Sequence, residues 1–145
     1  AHHLRSLFAL LTTHVPGATG SMAIRALLRC QTNQSCQVDE TIIQSVINSL
    51  LRNPELIGRD ASLLLQVISE YLWNHTRDYR GAKTAAEYAV NIDINGVPPR
   101  LLLASILIEI GDRAGAARQL ESARERDALN LYNETISGLQ SRLNN

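Results

Sequence analysis

Two stretches of the chain repeat one pattern at a distance of 34 residues. They read DYRGAKTAAEYAV at 78–90 and DRAGAARQLESAR at 112–124. Asp78 and Asp112, Ala82 and Ala116, and Ala89 and Ala123 are among the positions that carry the same residue in both copies. A period of this length fits a supersecondary unit that buries its apolar face only against a neighbouring unit. The repeat therefore favours a stack of similar units, each packed on the next.

The second copy indicates how each unit folds. Apolar and small residues recur at helical spacing on both sides of Gly111: Leu103, Ala104 and Leu107 before it, and Ala116, Leu120 and Ala123 after it. Small side chains at Ala104 and Ala116 allow two antiparallel helices to approach closely. The first copy follows the same scheme, with one extra residue in its turn at 74–79.

This pattern resembles the tetratricopeptide repeat, whose units are helical hairpins of 34 residues. The resemblance implies an all-α fold, a right-handed stack of antiparallel helical hairpins with a C-terminal capping helix. We predict one helical domain over 1–145. Its parts are N-terminal helices at 1–59, two tetratricopeptide-like units at 60–128 and a capping helix at 129–145. Asp60 is predicted to cap the first helix of these units, and Pro98-Pro99 to lie in the first turn of the third.

Charge is unevenly distributed along a chain whose formal net charge is zero. Zero net charge argues against non-specific nucleic-acid binding. No acidic residue precedes Asp39, whereas Arg5, Arg25 and Arg29 do. We predict that this basic beginning faces phosphates or the lipid headgroups of a membrane, and a solvated face without a partner is the alternative.

Cys30 and Cys36 are the only cysteines and bracket the polar segment QTNQS. A spacer of this length can close into a disulfide, which we predict for an oxidising compartment. Free thiols are the alternative in a reducing compartment. A zinc site would need two further ligands, and only His14 lies near.

The sequence contains no constellation that predicts catalysis. None of the four histidines lies in HExxH, and GxSxG, GxGxxG and phosphate-loop motifs are absent from the sequence. We therefore predict no catalytic residue, no metal and no cofactor. A small helical enzyme with an unrecognised site is an alternative hypothesis.

The first helix of each tetratricopeptide unit lines a concave face, so the resemblance predicts a partner-binding groove. The predicted groove residues are Gln66, Glu70, Trp73, Asn74, Leu101, Ser105, Ile108 and Glu109. This groove is apolar to mildly acidic, and its carboxylates would select a basic or polar partner. Trp73 is the natural anchor, and packing under the N-terminal helices is the alternative for this side chain.

The segments HLRSLFALLTTHVPG, MAIRALLRCQ and LLRNPEL, followed by repeat-like hairpins, suggest a wider context. This order resembles the periplasmic C-terminal region of bacterial O-antigen polymerases and pilin-glycosylating ligases. The resemblance implies a non-catalytic interaction domain of a membrane-bound glycan polymerase or ligase, with the catalytic residues in a membrane part outside this chain. An initial residue other than Met and the lack of a signal peptide favour an excised segment.

The implied location is the periplasmic face of the inner membrane. The implied partners are a protein or peptide, the membrane part of the same protein, or a second copy of the chain. A freestanding tetratricopeptide adaptor or assembly factor that binds a peptide in its concave groove is the alternative function, and a soluble cytoplasmic protein is the alternative location.

Overall fold

A computed structural model describes Thr41 and residues 58–145 of the chain. Residues 58–145 form five α-helices, and a π-helical turn at Leu72–Thr76 directly follows the first. The helices are α1 (Gly58–Tyr71), α2 (Tyr79–Ile92), α3 (Val97–Ile110), α4 (Arg113–Arg126) and α5 (Asn133–Asn144). No strand occurs within 58–145, and this part of the chain confirms the all-α prediction.

Most of the predicted N-terminal region, residues 1–59, lies outside the described residues. Cys30 and Cys36 lie there, as do the basic residues Arg5, Arg25 and Arg29. The disulfide and the membrane-facing beginning therefore stay predictions.

Helices α1 and α2 form an antiparallel hairpin joined by two buried serine hydrogen bonds. Ser62 Oγ donates to the Ala89 carbonyl at 2.8 Å, and Ser69 Oγ donates to the Ala82 carbonyl at 2.7 Å. The earlier serine of α1 bonds near the end of α2, and the later serine bonds near its beginning. The two helices therefore run antiparallel. Ala82 and Ala89 are fully buried, and their single methyl groups allow the close approach that these hydrogen bonds need.

Helices α3 and α4 pack against each other as extensively as α1 and α2 do. Ala104 on α3 and three residues of α4 are fully buried: Ala116, Leu120 and Ala123. Helix α2 also packs on α3, and α4 packs on α5. Contacts between α1 and α3, and between α3 and α5, bring alternate helices together. One apolar core therefore runs through all five helices.

The same aspartate cap begins α2 and α4. Asp78 accepts a hydrogen bond from the Gly81 backbone N–H, and Asp112 accepts one from that of Gly115, both at 2.9 Å. Each cap satisfies a backbone donor that the first turn of a helix leaves without a partner. The aspartates of the 34-residue repeat thus set where the second helix of each hairpin starts.

The π-helical turn accommodates the extra residue of the first copy. The Asp78 N–H bonds to the Leu72 carbonyl, six residues back, whereas the Asp112 N–H bonds to that of Leu107, five residues back. Arg77 and Gly111 precede these aspartates and both have positive φ, 55° and 89°. A π-type turn holds one residue more than an α-type turn, so both hairpins reverse direction in the same way despite the insertion.

The start of α1 differs from the prediction. The helix already includes Gly58, so Asp60 lies inside the helical backbone and not at the N-cap position. Pro98 and Pro99 do lie in the first turn of α3, where the missing proline N–H costs no helical hydrogen bond. Pro99 is also fully buried, so it contributes to packing at the helix start.

Asp127 orders the loop between α4 and α5. Its buried carboxylate accepts hydrogen bonds from the backbone N–H groups of Leu131 and Tyr132, at 2.8 and 2.9 Å. This loop returns the chain so that α5 packs on α4 and α3.

Candidate functional site

A cavity of about 320 Å³ lies between α1 with its π-helical turn, α3 and α5. We call it the α1–α3 cavity. Its lining residues are Ser69, Glu70, Trp73, Asn74, Leu102, Ser105, Ile106, Glu109 and Arg142. The size is that of a small ligand pocket, which accommodates a few side chains and not a folded domain.

Five of the predicted groove residues meet in this cavity: Glu70, Trp73, Asn74, Ser105 and Glu109. The other three lie elsewhere. Gln66 donates from Nε2 to the Ser62 hydroxyl at 3.4 Å, Leu101 is buried in the core, and Ile108 packs half-buried against that core. The apolar part of the lining on α3 comes instead from Leu102 and Ile106.

Sequence reasoning missed four lining residues: Ser69, Leu102, Ile106 and Arg142. The sequence does indicate that Ser69 is unusual, since a polar residue at a core position of the repeat requires a hydrogen-bond partner. Arg142 carried none, because it reaches the cavity only through the packing of α5 on α3.

Trp73 forms the aromatic part of the lining. Its ring lies 4.5 Å from that of Tyr79 between centroids, tilted by 58°, and its side chain is half-buried. Tilted aromatic pairs at this distance are favourable beyond the area they bury. Tyr79 therefore holds a large apolar surface at the edge of the cavity, where a partner can contact it.

Glu70 brings a carboxylate to the same cavity without a partner for its charge. No hydrogen bond or ion pair engages the Glu70 side chain among the described residues. Glu70 is exposed to solvent, yet enough protein surrounds the carboxyl that desolvation raises its pKa above the usual range, an effect that solvent partly screens. Ionisation of Glu70 is thus less favourable in the folded protein than in the unfolded chain.

This shift predicts a pH-dependent stability change for Glu70→Gln. Because the folded-state pKa lies above the unfolded one, the ionised carboxylate destabilises the fold at about pH 7, and this cost vanishes below about pH 4. We expect the variant to have a higher urea midpoint than the parent at neutral pH, with the difference shrinking as the pH falls. Glu87→Gln, the same change on the exposed face of α2, is the control. Equal midpoints for Glu70→Gln and the parent at neutral pH would contradict the prediction.

Glu109, the second carboxylate of the lining, is already paired. It accepts a hydrogen bond from Arg142, and about half of each side chain is exposed. An exposed pair of this kind contributes little to stability, since water screens it. Its consequence for the cavity is that Arg142 offsets the charge of Glu109 and leaves that of Glu70 without compensation.

A second charged cluster lies at the loop between α2 and α3. Arg100 and Arg126 both donate to the Ile94 carbonyl, at 2.8 and 2.9 Å. Desolvation and the nearby charge of Arg126 lower the pKa of Arg100, which is buried. Arg100 also bonds to Gln119, and Arg126 to Ser122, so this cluster fixes the loop against α4.

No group of three His, Cys, Asp or Glu side chains among residues 58–145 and Thr41 lies close enough to hold a metal ion. In the same range, no helix combines the length and apolar character needed to span a bilayer. Comparison of the chain with protein-family models, curated proteins and solved structures finds no match.

Proposed function

We propose that residues 58–145 are a tetratricopeptide-like recognition module that binds a segment of a partner protein in the α1–α3 cavity. The observation that carries the proposal is the position of this cavity between α1 and α3, the first helices of two successive hairpins. Stacked helical hairpins bind their partners on the surface that such helices line. The contact of α3 with α5 extends the same surface towards the end of the chain.

Repetition within the fold supports the tetratricopeptide-like assignment. The capping aspartates Asp78 and Asp112 are 34 residues apart, and each begins the second helix of a hairpin. Two pairs of alanines at the same offset are fully buried between helices: Ala82 with Ala116, and Ala89 with Ala123. The family fold implies a right-handed stack, with α5 as its capping helix.

The composition of the lining suits recognition of an extended segment. Leu102, Ile106 and Trp73 offer apolar contact area, and Ser105 and Asn74 offer hydrogen-bonding groups. A preformed pocket that combines apolar side chains with polar groups suits the binding of one or two anchoring side chains. Neighbouring residues of the partner would then lie along α1 and α3.

The wider role as the interaction domain of a membrane-bound glycan polymerase or ligase at the periplasmic face stays a proposal that rests on the sequence resemblance. The segments that carry the resemblance lie mainly before residue 58, outside the described residues. In that role the module would position a partner, or a second copy, near the site of transfer. A freestanding adaptor would use the same cavity, and glycan transfer by the longer protein is the assay that separates these two roles.

The binding proposal predicts that blocking the cavity abolishes peptide binding. Random peptides about a dozen residues long would be selected on the full chain, and their affinity measured by calorimetry. Ser105→Phe places a large ring in the lining, so we expect affinity to fall by about tenfold or more.

Ser137→Phe adds the same ring on the exposed face of α5 and is the matched control. Helical circular dichroism and the urea midpoint check that both variants fold. Failure to select any peptide would contradict the proposal, and so would equal affinity for Ser105→Phe and the parent.

A further inference from the structure

We infer that the segment bound in the α1–α3 cavity inserts a lysine or arginine side chain, whose cation pairs with Glu70 and whose stem packs on Trp73. The inference rests on the proposed recognition function and specifies the chemistry of the partner. Its basis is the combination, in one cavity, of a carboxylate without a partner, an aromatic ring and an apolar wall.

The distribution of charge within the cavity selects a cation. Three ionisable side chains line it: Glu70, Glu109 and Arg142. Arg142 donates to Glu109, so these two largely cancel, and the remaining charge of the lining is one negative charge at Glu70. A cation entering the cavity would gain an ion pair without breaking one, whereas an anion would have to displace Glu109 and stand close to Glu70.

The rest of the lining fits the shape of a long basic side chain. Lysine and arginine carry apolar stems that pack on apolar surface while the charged head reaches a polar partner. Leu102 and Ile106 provide such a surface, and Trp73 adds a ring that attracts cations through its electron-rich face. An uncharged apolar side chain would leave the partly desolvated carboxylate still without a partner.

The stability that the protein loses by carrying Glu70 in the unbound state supports a role of this residue in binding. Desolvation raises its pKa, so its charge opposes folding at neutral pH, and no interaction within the described residues offsets this. A bound cation would supply the missing partner. Glu70→Gln should therefore increase stability and decrease binding, a combination that a structural role would not produce.

Selection of random peptides on three forms of the 145-residue chain tests the inference. The baits are the parent, Glu70→Gln and Glu87→Gln. The two substitutions make the same change of net charge, the first inside the cavity and the second outside it. On the parent and on Glu87→Gln we expect peptides with lysine or arginine at one fixed position. On Glu70→Gln this preference should disappear.

Intrinsic fluorescence then reports binding at the site itself, because Trp73 is the only tryptophan of the chain. Replacing the fixed lysine by acetyl-lysine, or the fixed arginine by citrulline, should weaken binding to the parent by about tenfold. The same replacement should leave affinity for Glu70→Gln nearly unchanged.

The outcomes separate this inference from the function on which it rests. Selected peptides that change Trp73 fluorescence but carry no fixed cation would overturn the inference and leave the proposed function standing. Acidic peptides as the preferred class would overturn it in the same way, and so would a cation preference that persists on Glu70→Gln. Failure of the parent to select any peptide would overturn the proposed function and the inference together.

Discussion

Replacing Ala116 by leucine should lower the free energy of unfolding by about 1–3 kcal/mol. Ala116 is fully buried on α4, where this helix packs against α3. Its methyl group fills the available space, so three further carbon atoms would force the two helices apart or push side chains out of their preferred rotamers. Urea unfolding followed by circular dichroism measures the effect as a lower midpoint.

The neighbouring residue provides a control on the same helix. Ala117 is exposed, so Ala117→Leu adds the same volume to the surface. We expect its effect to remain within about 0.5 kcal/mol. If the two variants unfold at the same urea concentration, Ala116 does not lie at a tight helix contact, and the close approach inferred from the repeat is wrong.

The repeated alanines show what the sequence could predict. Ala82, Ala89, Ala116 and Ala123 were expected between helices because they recur at one offset, and all four are fully buried. A repeat links local spacing to packing, since one arrangement must serve both copies. Small residues at matched positions therefore predict close contacts even without a structure.

The turns were predictable only in part. The extra residue between the copies was visible, but its placement in a π-helical turn at Leu72–Thr76 was not. An insertion can lengthen a loop or widen a helical turn, and nothing in NHTRDY distinguishes these outcomes. The predicted start of α1 is also wrong: aspartate is a favoured residue at the N-cap, yet the helical backbone already includes Gly58, two residues before Asp60.

The site was predicted better on α1 than on α3. Helix α1 has distinct polar and apolar sides. Four groove residues were predicted on α1 and the π-helical turn that follows it, and three of them line the cavity: Glu70, Trp73 and Asn74. Helix α3 reads VPPRLLLASILIEI and is apolar on nearly every side, so its periodicity does not identify the face that meets the cavity. The prediction therefore chose Leu101 and Ile108, whereas the lining uses Leu102 and Ile106.

Alanine at Gly111 and alanine at Gly138 should change stability in opposite directions. In both cases the added Cβ would meet no side chain or backbone of another part of the fold within 4 Å, so packing contributes to neither effect. Gly111 ends α3 with a φ of 89°, a left-handed conformation in which a Cβ atom costs about 1 kcal/mol. Gly138 lies inside α5, where alanine is favoured over glycine by about 1 kcal/mol.

The two variants should therefore differ by about 2 kcal/mol in free energy of unfolding, with the parent between them. Each variant controls for the other, because the chemical change is the same and only the backbone conformation differs. Arg77 occupies the position equivalent to Gly111 with a φ of 55°, so the first hairpin already accepts a side chain in this conformation. The fold should thus survive Gly111→Ala at reduced stability. A urea midpoint for Gly111→Ala at or above that of the parent would show that the left-handed turn does not determine how α3 ends.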